Sequence, residues 1–573
     1  MAVRYWGNAA IATLRVSLLH AALAGAAALA LGCKPTYYRK DADREVYRII
    51  ASKQAKALGG KAPFSIDPPE ETAVERLFRA KAPSGARPSA AKAAAGLDLP
   101  QFENGLPKRP GVERLGLREA LELAARYSRD YQTQKETLYG SALALTLERF
   151  KWTPQWSGKL SAQRTKGPDD SPTQFASDFS VGQLLGLGGK VSAGLATTVI
   201  RHTTGDPLRT AASLLSLDAV QPLWRGAGRR VAQETLTQAE RDTIYAVRTF
   251  ARFQKTFCVD ITGSYYRVLQ QRDAVANQWD NYQRIQQSRE RTEAMAKAGR
   301  RPEFEVDQAR QEEFNAKDSW ISALRAYEDG LDQFKLALSL PAEAPVELEP
   351  KEVDRLREAG LRRVEVPADR AVGMAVERRL DLLTAIDKVA DAERKVEIAR
   401  NGLGPDINLR FSGKVPSEAP TQAAHLQAER GTYIAGIDAE LPLRRKTERN
   451  AYRESLIALE QAARGADKVR DDIKLSVFQD WRALQEAAQS YEIQQASVDL
   501  ARRRVESTTL LLQRGTASAR DVLDANASLV AAQNALTRAL IDHTLARLAL
   551  WRDTELLRVG EDGVWQEVTD VNP

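Results

Sequence analysis

Two stretches of this sequence are built as the same device. Arg514–Ala525 reads RGTASARDVLDA, and Ala298–Ala309 reads AGRRPEFEVDQA. In each, a long helix-forming run stops at a glycine, Gly515 or Gly299, the residue that enters left-handed backbone at least cost. A new helix opens three residues later. In the second copy Ser518 is the N-cap and Asp521 the capping-box acid. In the first, Pro302 stands at the helix start, where its missing N–H costs nothing, and Glu305 matches Asp521. Val306 and Ala309 then repeat Val522 and Ala525. Any fold for this chain has to accommodate two helix–turn–helix tips in one polypeptide, so an internal duplication is the first constraint.

The stretches leading to the tips are long. Arg229–Ala298 contains no proline and one glycine, Gly263, and Leu443–Arg514 is again free of proline. At 1.5 Å per residue each gives about 100 Å of helix. Globular helices rarely reach this length, whereas coiled coils and helical ducts do. Return helices are expected from Pro302 to about Leu340 and from the turn at Gly515 to about Leu557. Small residues recur every seven positions behind each tip: Ala309, Ala316, Ala323, Gly330 and Ala337, then Ala525, Ala532, Ala539 and Ala546. Val522, Leu529 and Leu536 form a neighbouring column. A seven-residue period imposes a left-handed supercoil, and small side chains let the helices come close.

Ahead of each long helix the period changes from helix to strand. In Val191–Val199, Val191, Ala193, Leu195 and Val199 alternate with Ser192, Gly194, Ala196 and Thr198. Phe179, Val181 and Leu185 belong to a similar segment, and residues 155–221 hold about four such segments. In the second half Asp406–Val415 places Ile407, Leu409, Phe411 and Val415 on one face, and Thr432–Leu441 places Tyr433, Ala435, Ile437 and Ala439 there. Pro222 and Pro442 mark the two strand-to-helix changes. Leu115–Trp152 and Pro367–Gly402 are each expected to be one helix preceding the strands. Strands of this kind fit a soluble half-buried sheet or a membrane β-barrel with a wet lumen. Alternation by itself favours the soluble sheet; the export signal and the long helices turn the reading toward the barrel.

That export signal is residues 1–32, with Arg4 and Arg15 followed by the apolar run Val16–Gly32, too short to be a spanning helix. Ala30-Leu31-Gly32-Cys33 resembles a bacterial lipoprotein cleavage box, which makes Cys33 the expected lipid-attachment residue. Lys34 follows where, in known lipoproteins, an Asp favours retention in the inner membrane. Residues 33–110 begin with a charged, helix-capable piece, Asp41–Leu58, and then turn rich in Pro, Ala, Gly and Lys, as a tether with little core of its own does.

Composition excludes several functions. A mean hydropathy of −0.42 rules out a polytopic helical membrane protein. The net charge of +7 comes from 83 basic and 76 acidic residues and is a mixed solvated surface. No basic cluster interleaved with aromatics marks nucleic-acid binding. Cys33 and Cys258 cannot form a disulfide framework, and Cys258 in a helical stretch reads as a small buried apolar residue. His20, His202, His425 and His543 lack metal-ligand spacing, and no Ser or Cys nucleophile has visible partners. Gly-Leu-Gly-Gly-Lys at 186–190 lacks the spacing of a phosphate loop and reads as a strand turn. The chain is not expected to be an enzyme or to carry a cofactor beyond the lipid on Cys33.

Helix, strands, long helix, tip and return helix, twice over behind an export signal, resembles the TolC-like outer-membrane efflux protein family. The residues carrying the resemblance are Leu117–Ala124 (LREALELA), Gln221–Gly226 (QPLWRG), Leu338–Pro341 (LSLP) and above all Arg514–Ala525 with its degenerate copy at Gly299–Ala309. It covers about residues 112–556. The resemblance implies a mainly α fold with a membrane β-barrel part: a trimeric α-helical barrel and a shared outer-membrane β-barrel built from two tandem repeats. The first repeat is 111–345, with strands at 155–221 and a tip at 299–302. A connector spans 346–366. The second repeat is 367–557, with strands at 406–441 and a tip at 515–518, and 558–573 form a tail.

The same resemblance implies a passive exit duct in the outer membrane of a Gram-negative bacterium, with a long periplasmic part. Its expected partners are two further copies, a periplasmic adaptor, an inner-membrane transporter and outer-membrane lipid, without nucleic acid. It assigns the periplasmic gate to Asp521 and Asp524, one helical turn apart, as two carboxylate rings under threefold symmetry. Glu305 is expected to join the polar contacts holding the entrance shut. Gln308 stands where Asp524 would be matched, so the first tip adds little to the rings. Gly299, Arg300, Gly515 and Thr516 match the tips where adaptors dock. The four strand-like segments in the first half depart from the two in the second, which leaves open an extended loop or a widened barrel. The rival readings are an exported helical scaffold or adhesion protein, which leaves the repeated strands unexplained, and the adaptor itself, which has one hairpin rather than two.

Overall fold

Helix α1 (Pro35–Leu58) opens the described chain. The structure, a computed structural model, describes residues 34–67, 102–107, 112–168, 170–204, 208–362, 366–418, 422–441, 443–514, 516–560 and 562–566. The expected signal peptide, Cys33, Pro442 and Gly515 lie outside them. After α1 come α2 (Leu117–Tyr127) and α3 (Arg129–Phe150), then four strands, β1 (Gln155–Arg164), β2 (Thr173–Leu184), β3 (Lys190–Arg201) and β4 (Arg209–Pro222). Helix α4 (Glu234–Lys297) runs for 64 residues and α5 (Glu303–Ala337) returns for 35. The second repeat follows with α6 (Lys351–Ala359), α7 (Ala368–Arg378) and α8 (Leu380–Gly402), then β5 (Asp406–Glu418), β6 (Gln422–Leu426) and β7 (Thr432–Glu440). Helix α9 (Lys446–Gln513) has 68 residues and α10 (Ala519–Asp553) has 35. The two proline-free runs are therefore helices of the expected length, and each is followed by a return helix of equal size.

Compact packing does not follow the repeats. Among the described residues, one unit gathers 34–65, 138–247 and 406–439, and a second gathers the remainder, so each repeat supplies both. In the first unit all seven strands form one antiparallel sheet, in the order β6–β5–β4–β3–β2–β1, with β7 also paired to β5. The two halves join where Leu217 faces Gly413 and Pro222 faces Asn408. Four strands in residues 155–221 match the sequence reading. The second half holds three rather than two, because the short β6 turns back on the end of β5.

The N-terminal segment differs from a tether over its first part. Helix α1 buries Val46 and Ile50 completely within the first unit. Tyr139 of α3 donates to Asp43 at 2.9 Å, and Lys53, itself buried, pairs with Glu240 at 2.9 Å. An apolar pair one helical turn apart, Val46 and Ile50, is what gives this charged helix a face to pack.

The second unit is built on long-helix packing. Its main core holds Leu121, Tyr265, Leu269, Leu331 and Leu338, with the parallel strand pair Glu113–Leu115 and Val346–Leu348 against it. Tyr265 donates to the Leu115 carbonyl at 3.0 Å, so its buried hydroxyl is satisfied. Cys258 is buried in the same core, and burial pushes its thiol up to about 12, which fits an inert packing residue. The seven-residue columns face inward for most of their length: Ala309, Ala316, Ala525, Ala532 and Ala539 are buried, Ala323, Gly330 and Ala546 are half-buried, and a Cβ on Gly330 would run into the Gln271 side chain, whereas Ala337 at the end of α5 is exposed.

Neither expected pre-strand helix is continuous. Ser128 (φ −60°, ψ 131°) separates α2 from α3, and Arg379 (φ −63°, ψ 122°) separates α7 from α8. Each break is a single extended residue at the corresponding place of its repeat. The second is held by charge. Arg379 binds Asp381 at 2.7 Å and approaches Asp553 at 3.5 Å. Asp553 also accepts from Ser476 of α9 at 2.5 Å and from Arg552 at 2.8 Å. Arg252 of α4 reaches Asp381 and Asp553 at 3.5 and 3.4 Å, and Lys255 pairs with Glu555. A buried network of this kind fixes geometry because removing one member strands its partners.

Asp480 of α9 sits in this network. Burial, and then the neighbouring Asp553 carboxylate, hold its carboxyl well above the usual range. A carboxyl raised on folding stabilises the folded state below its unfolded value, and that contribution is lost as pH rises through the raised folded value. Asp480→Asn removes the titration while keeping the side chain's shape. The variant's thermal midpoint is expected to gain on the unaltered protein between pH 5 and pH 8. Parallel pH profiles would show that Asp480 does not titrate in this range.

Candidate functional site: the helical tips

The first tip closes without side-chain help from its turn. Helix α4 ends at Lys297, and Gly299 takes φ +72°, letting the Arg300 N–H reach back to the Met295 carbonyl at 2.9 Å. That six-to-one bond around a left-handed glycine is a helix stop, and any side chain at 299 would strain it. Pro302 (φ −74°, ψ 151°) is the N-cap of α5, one position earlier than a first-turn proline. Gly299 and Arg300 are exposed.

The second tip is capped by side chains. Thr516 is exposed, and its N–H and hydroxyl both bond to the Leu511 carbonyl, at 3.0 and 3.1 Å. Ser518 is the N-cap of α10. Its Oγ accepts the Asp521 N–H at 3.3 Å, while the Asp521 carboxylate accepts from Ser518 N–H and Oγ at 2.9 and 2.7 Å. The Ser518 hydroxyl, then the backbone bond, hold the Asp521 carboxyl below the usual carboxylate range. The capping box read from the sequence is thus formed, with Asp521 Oδ2 occupied by it. Asp524 lies one turn on, exposed, with no such engagement of its carboxylate among the described contacts. Pro302 and Ser518, matched in sequence, are matched as N-caps in the structure.

Glu305 faces elsewhere. It is largely buried and pairs with Arg301 at 3.1 Å, and Arg301 donates to the Ala517 carbonyl of the other tip at 3.4 Å. The two tips are therefore tied through Arg301, which the sequence reading passed over; its position four residues before Glu305 was the available signal. Higher on the seam between α4 and α10, Arg284 donates to Asn526 at 3.0 Å, Asn277 to Asn534 at 2.7 Å, and Thr537 to Asp273 at 3.3 Å. These bonds descend α4 as they climb α10, the register of an antiparallel pair. A cavity of about 220 Å³ lies just inside the tips, lined by Arg284, Arg291, Arg301, Glu305, Val522 and Asn526 among others. Within one chain Asp521 and Asp524 do not line it.

Large apolar side chains remain uncovered on the outer helices. Phe314 and Ile321 on α5, and Ile493 and Leu500 on α9, are each seven residues apart and about half exposed or more. Heptad-spaced apolar residues of this kind are what a helix presents to another helix. Among the described residues no three His, Cys, Asp or Glu side chains converge as a metal site, and no helix is long and apolar enough to cross a membrane.

Comparison with known proteins agrees with this architecture. Residues 371–552, most of the second repeat, match the family model described as outer membrane efflux protein. No curated protein matches the chain by sequence. The fold is similar to that of CusC at 14% identity and TM-score 0.57, covering 79% of this chain and 98% of CusC. It is similar to the Campylobacter jejuni CmeC outer membrane channel at 14% identity and TM-score 0.56, covering 79% and 87%. The open-state MtrE outer membrane channel of Neisseria gonorrhoeae matches at 14% identity and TM-score 0.54, covering 79% and 94%.

Ser518→Ala removes the hydroxyl that anchors the second tip. It is expected to weaken the α10 start by about 1 kcal/mol, read as faster amide exchange over residues 518–525 with exchange in the helix interiors unchanged. Ser518→Gly is expected to cost less, since Gly is tolerated at an N-cap. Equal exchange in all three proteins would show that the cap does not hold the tip.

Proposed function

We propose that this chain is an outer membrane efflux protein, the family whose model residues 371–552 match, and that three copies form a passive exit duct through the outer membrane of a Gram-negative bacterium. The observation that carries this reading is the pairing, in one chain, of two helical hairpins with an antiparallel sheet whose strands have membrane-spanning length. Transmembrane strands need about 9–11 residues. Among the described residues a single copy leaves both sheet edges unpaired and the heptad faces of α5 and α9 open, and closure by further copies removes both defects. The helices then form the periplasmic conduit, and transport is driven by other components.

Function at the tips follows from charge and exposure. Asp524, on the exposed face of the first α10 turns, becomes a ring of carboxylates when three copies meet around an axis, and such a ring favours cations. Asp521 contributes a second ring with one oxygen already engaged by Ser518. Glu305 acts through Arg301 to tie the two tips of each copy, so opening has to break that link. The exposed Gly299, Arg300 and Thr516, with Gly515, form the docking surface for a periplasmic adaptor, itself bound to an inner-membrane transporter. Cys33 carries a lipid that holds the N-terminal segment at the membrane.

Conductance of the purified protein in a planar bilayer tests this. Small, cation-selective currents blocked by divalent cations are expected. Asp524→Asn should raise the current and weaken the block several-fold, and Asp521→Asn, which retains a capping oxygen, should do so less. Currents indifferent to both changes would move the gate away from these acids, and folded trimers that pass no current in any variant would overturn the duct.

A further inference from the structure

The first repeat supplies more sheet than the second, and the extra hairpin is built as membrane wall. We propose that each copy contributes six spanning strands, β1, β2, β3, β4, β5 and β7, so that three copies close an eighteen-stranded barrel. The inference rests on the exit-duct reading and adds the width of its outer mouth.

Length is the first argument. The six strands have 10, 12, 12, 14, 13 and 9 residues, each enough to cross a bilayer, whereas β6 has 5. Register is the second. Trp156 faces Val181, Val181 faces Ala193, Ala193 faces Leu217 and Leu217 faces Gly413, an unbroken row across five strands. The hairpin β1–β2 therefore lies at the same depth as β4 and β5, not beyond their ends.

The faces are the third. On one side of the sheet stand Trp156 and Leu160 of β1, Phe175 and Phe179 of β2, Leu195 of β3, Leu217 of β4 and Phe411 of β5, all about 40% exposed or more. The other side carries Lys159 opposite Asp178, Ser180 opposite Gly194, and Asp218 bonded to Ser412 at 2.8 Å. Arg410 of β5 pairs with Asp438 of β7 at 2.8 Å on that same side. A loop projecting into water has no need of a continuous apolar face on one side only; a barrel wall between lipid and a wet lumen does.

Closure is the fourth. The pairings from β1 to β5 are antiparallel, and Arg410 and Gly413 of β5 lie against Asp438 and Tyr433 of β7, an antiparallel order, so the edges β1 and β7 run in opposite directions. Edge β1 of one copy can then pair with edge β7 of the next in the same antiparallel sense, leaving no open edge. Barrel diameter grows roughly linearly with strand number, so eighteen strands make a mouth about one and a half times as wide as twelve. Sixteen- to eighteen-stranded barrels enclose an aqueous channel, so such an exit passes solutes of the size that porins admit.

Disulfide trapping in outer membranes tests the edge directly. Ser161→Cys with Gly436→Cys, on the lumen faces of β1 and β7, is expected to give covalent trimers on oxidation in the full-length protein. Thr198→Cys with Gly436→Cys, which would join β3 to β7 if the extra hairpin lay outside the wall, is expected to give none. Spin labels placed singly along 157–162 supply a second measurement. Alternating accessibility, to oxygen at the apolar-face positions and to an aqueous nickel chelate at the polar ones, is the expected pattern. Trapping through Thr198, or uniform aqueous access along β1, overturns the eighteen-stranded wall and leaves the duct standing. Absence of trimers from the outer membrane overturns the duct as well.

Discussion

Unsatisfied backbone at the edges of the seven-stranded sheet is the constraint on which the rest of the molecule depends. Each interior strand is paired on both sides, but β1 and most of β7 offer a free edge, and one face is apolar and bare. In lipid an unpaired peptide group costs several kcal/mol, and in water the same edge invites aggregation. One chain cannot resolve this by folding alone. The sheet has a solution only as an arc of a closed wall, and the number of copies follows from how much arc each supplies. The long helices pose the same problem in another form, because Phe314, Ile321, Ile493 and Leu500 stay about half exposed or more among the described residues.

The seam between α4 and α10 answers a different requirement. Helices this long, packed on alanine columns, would slide along each other if only methyl groups met, since a heptad-spaced surface repeats itself. Asp273, Asn277 and Arg284 on one side and Thr537, Asn534 and Asn526 on the other give each level a distinct partner. Such pairs add little net stability, yet they distinguish the correct register from one shifted by a heptad. The Arg301 bond to Ala517 continues the same logic to the tips, where it adds a last link between the two hairpins of one copy.

Periodicity made much of this legible in the sequence. The long helices, the paired tips, the capping box at Ser518 and Asp521, and four strands in residues 155–221 all follow from local pattern and match the structure. The breaks at Ser128 and Arg379 do not, because neither has a proline or glycine beside it; tertiary charge, spread over Arg252, Asp381 and Asp553, decides the second. Helix α1 was readable as a helix but not as a packed one, since Lys53 finds Glu240 far away in sequence. Arg301 was missed for a related reason: its partner beyond Glu305 is a backbone carbonyl, which leaves no mark in the residue order.

The junction of β4 with β5 sets the order in which the molecule can be made. Pro222 and Asn408 are neighbours in the sheet, and what lies between them is helix, turn and connector with one short strand, Val346–Leu348, that belongs to the other unit. The membrane wall of a single copy is thus an interrupted text, begun in the first repeat and finished only after the whole of the first hairpin and three further helices have been synthesised. Local helical contacts form early and shorten that loop, whereas the strands must wait with their apolar face exposed. A chain arranged this way has a long interval in which four strands are paired with one another while β4 still lacks β5, and it is in that interval that its open edge and bare apolar face most need cover.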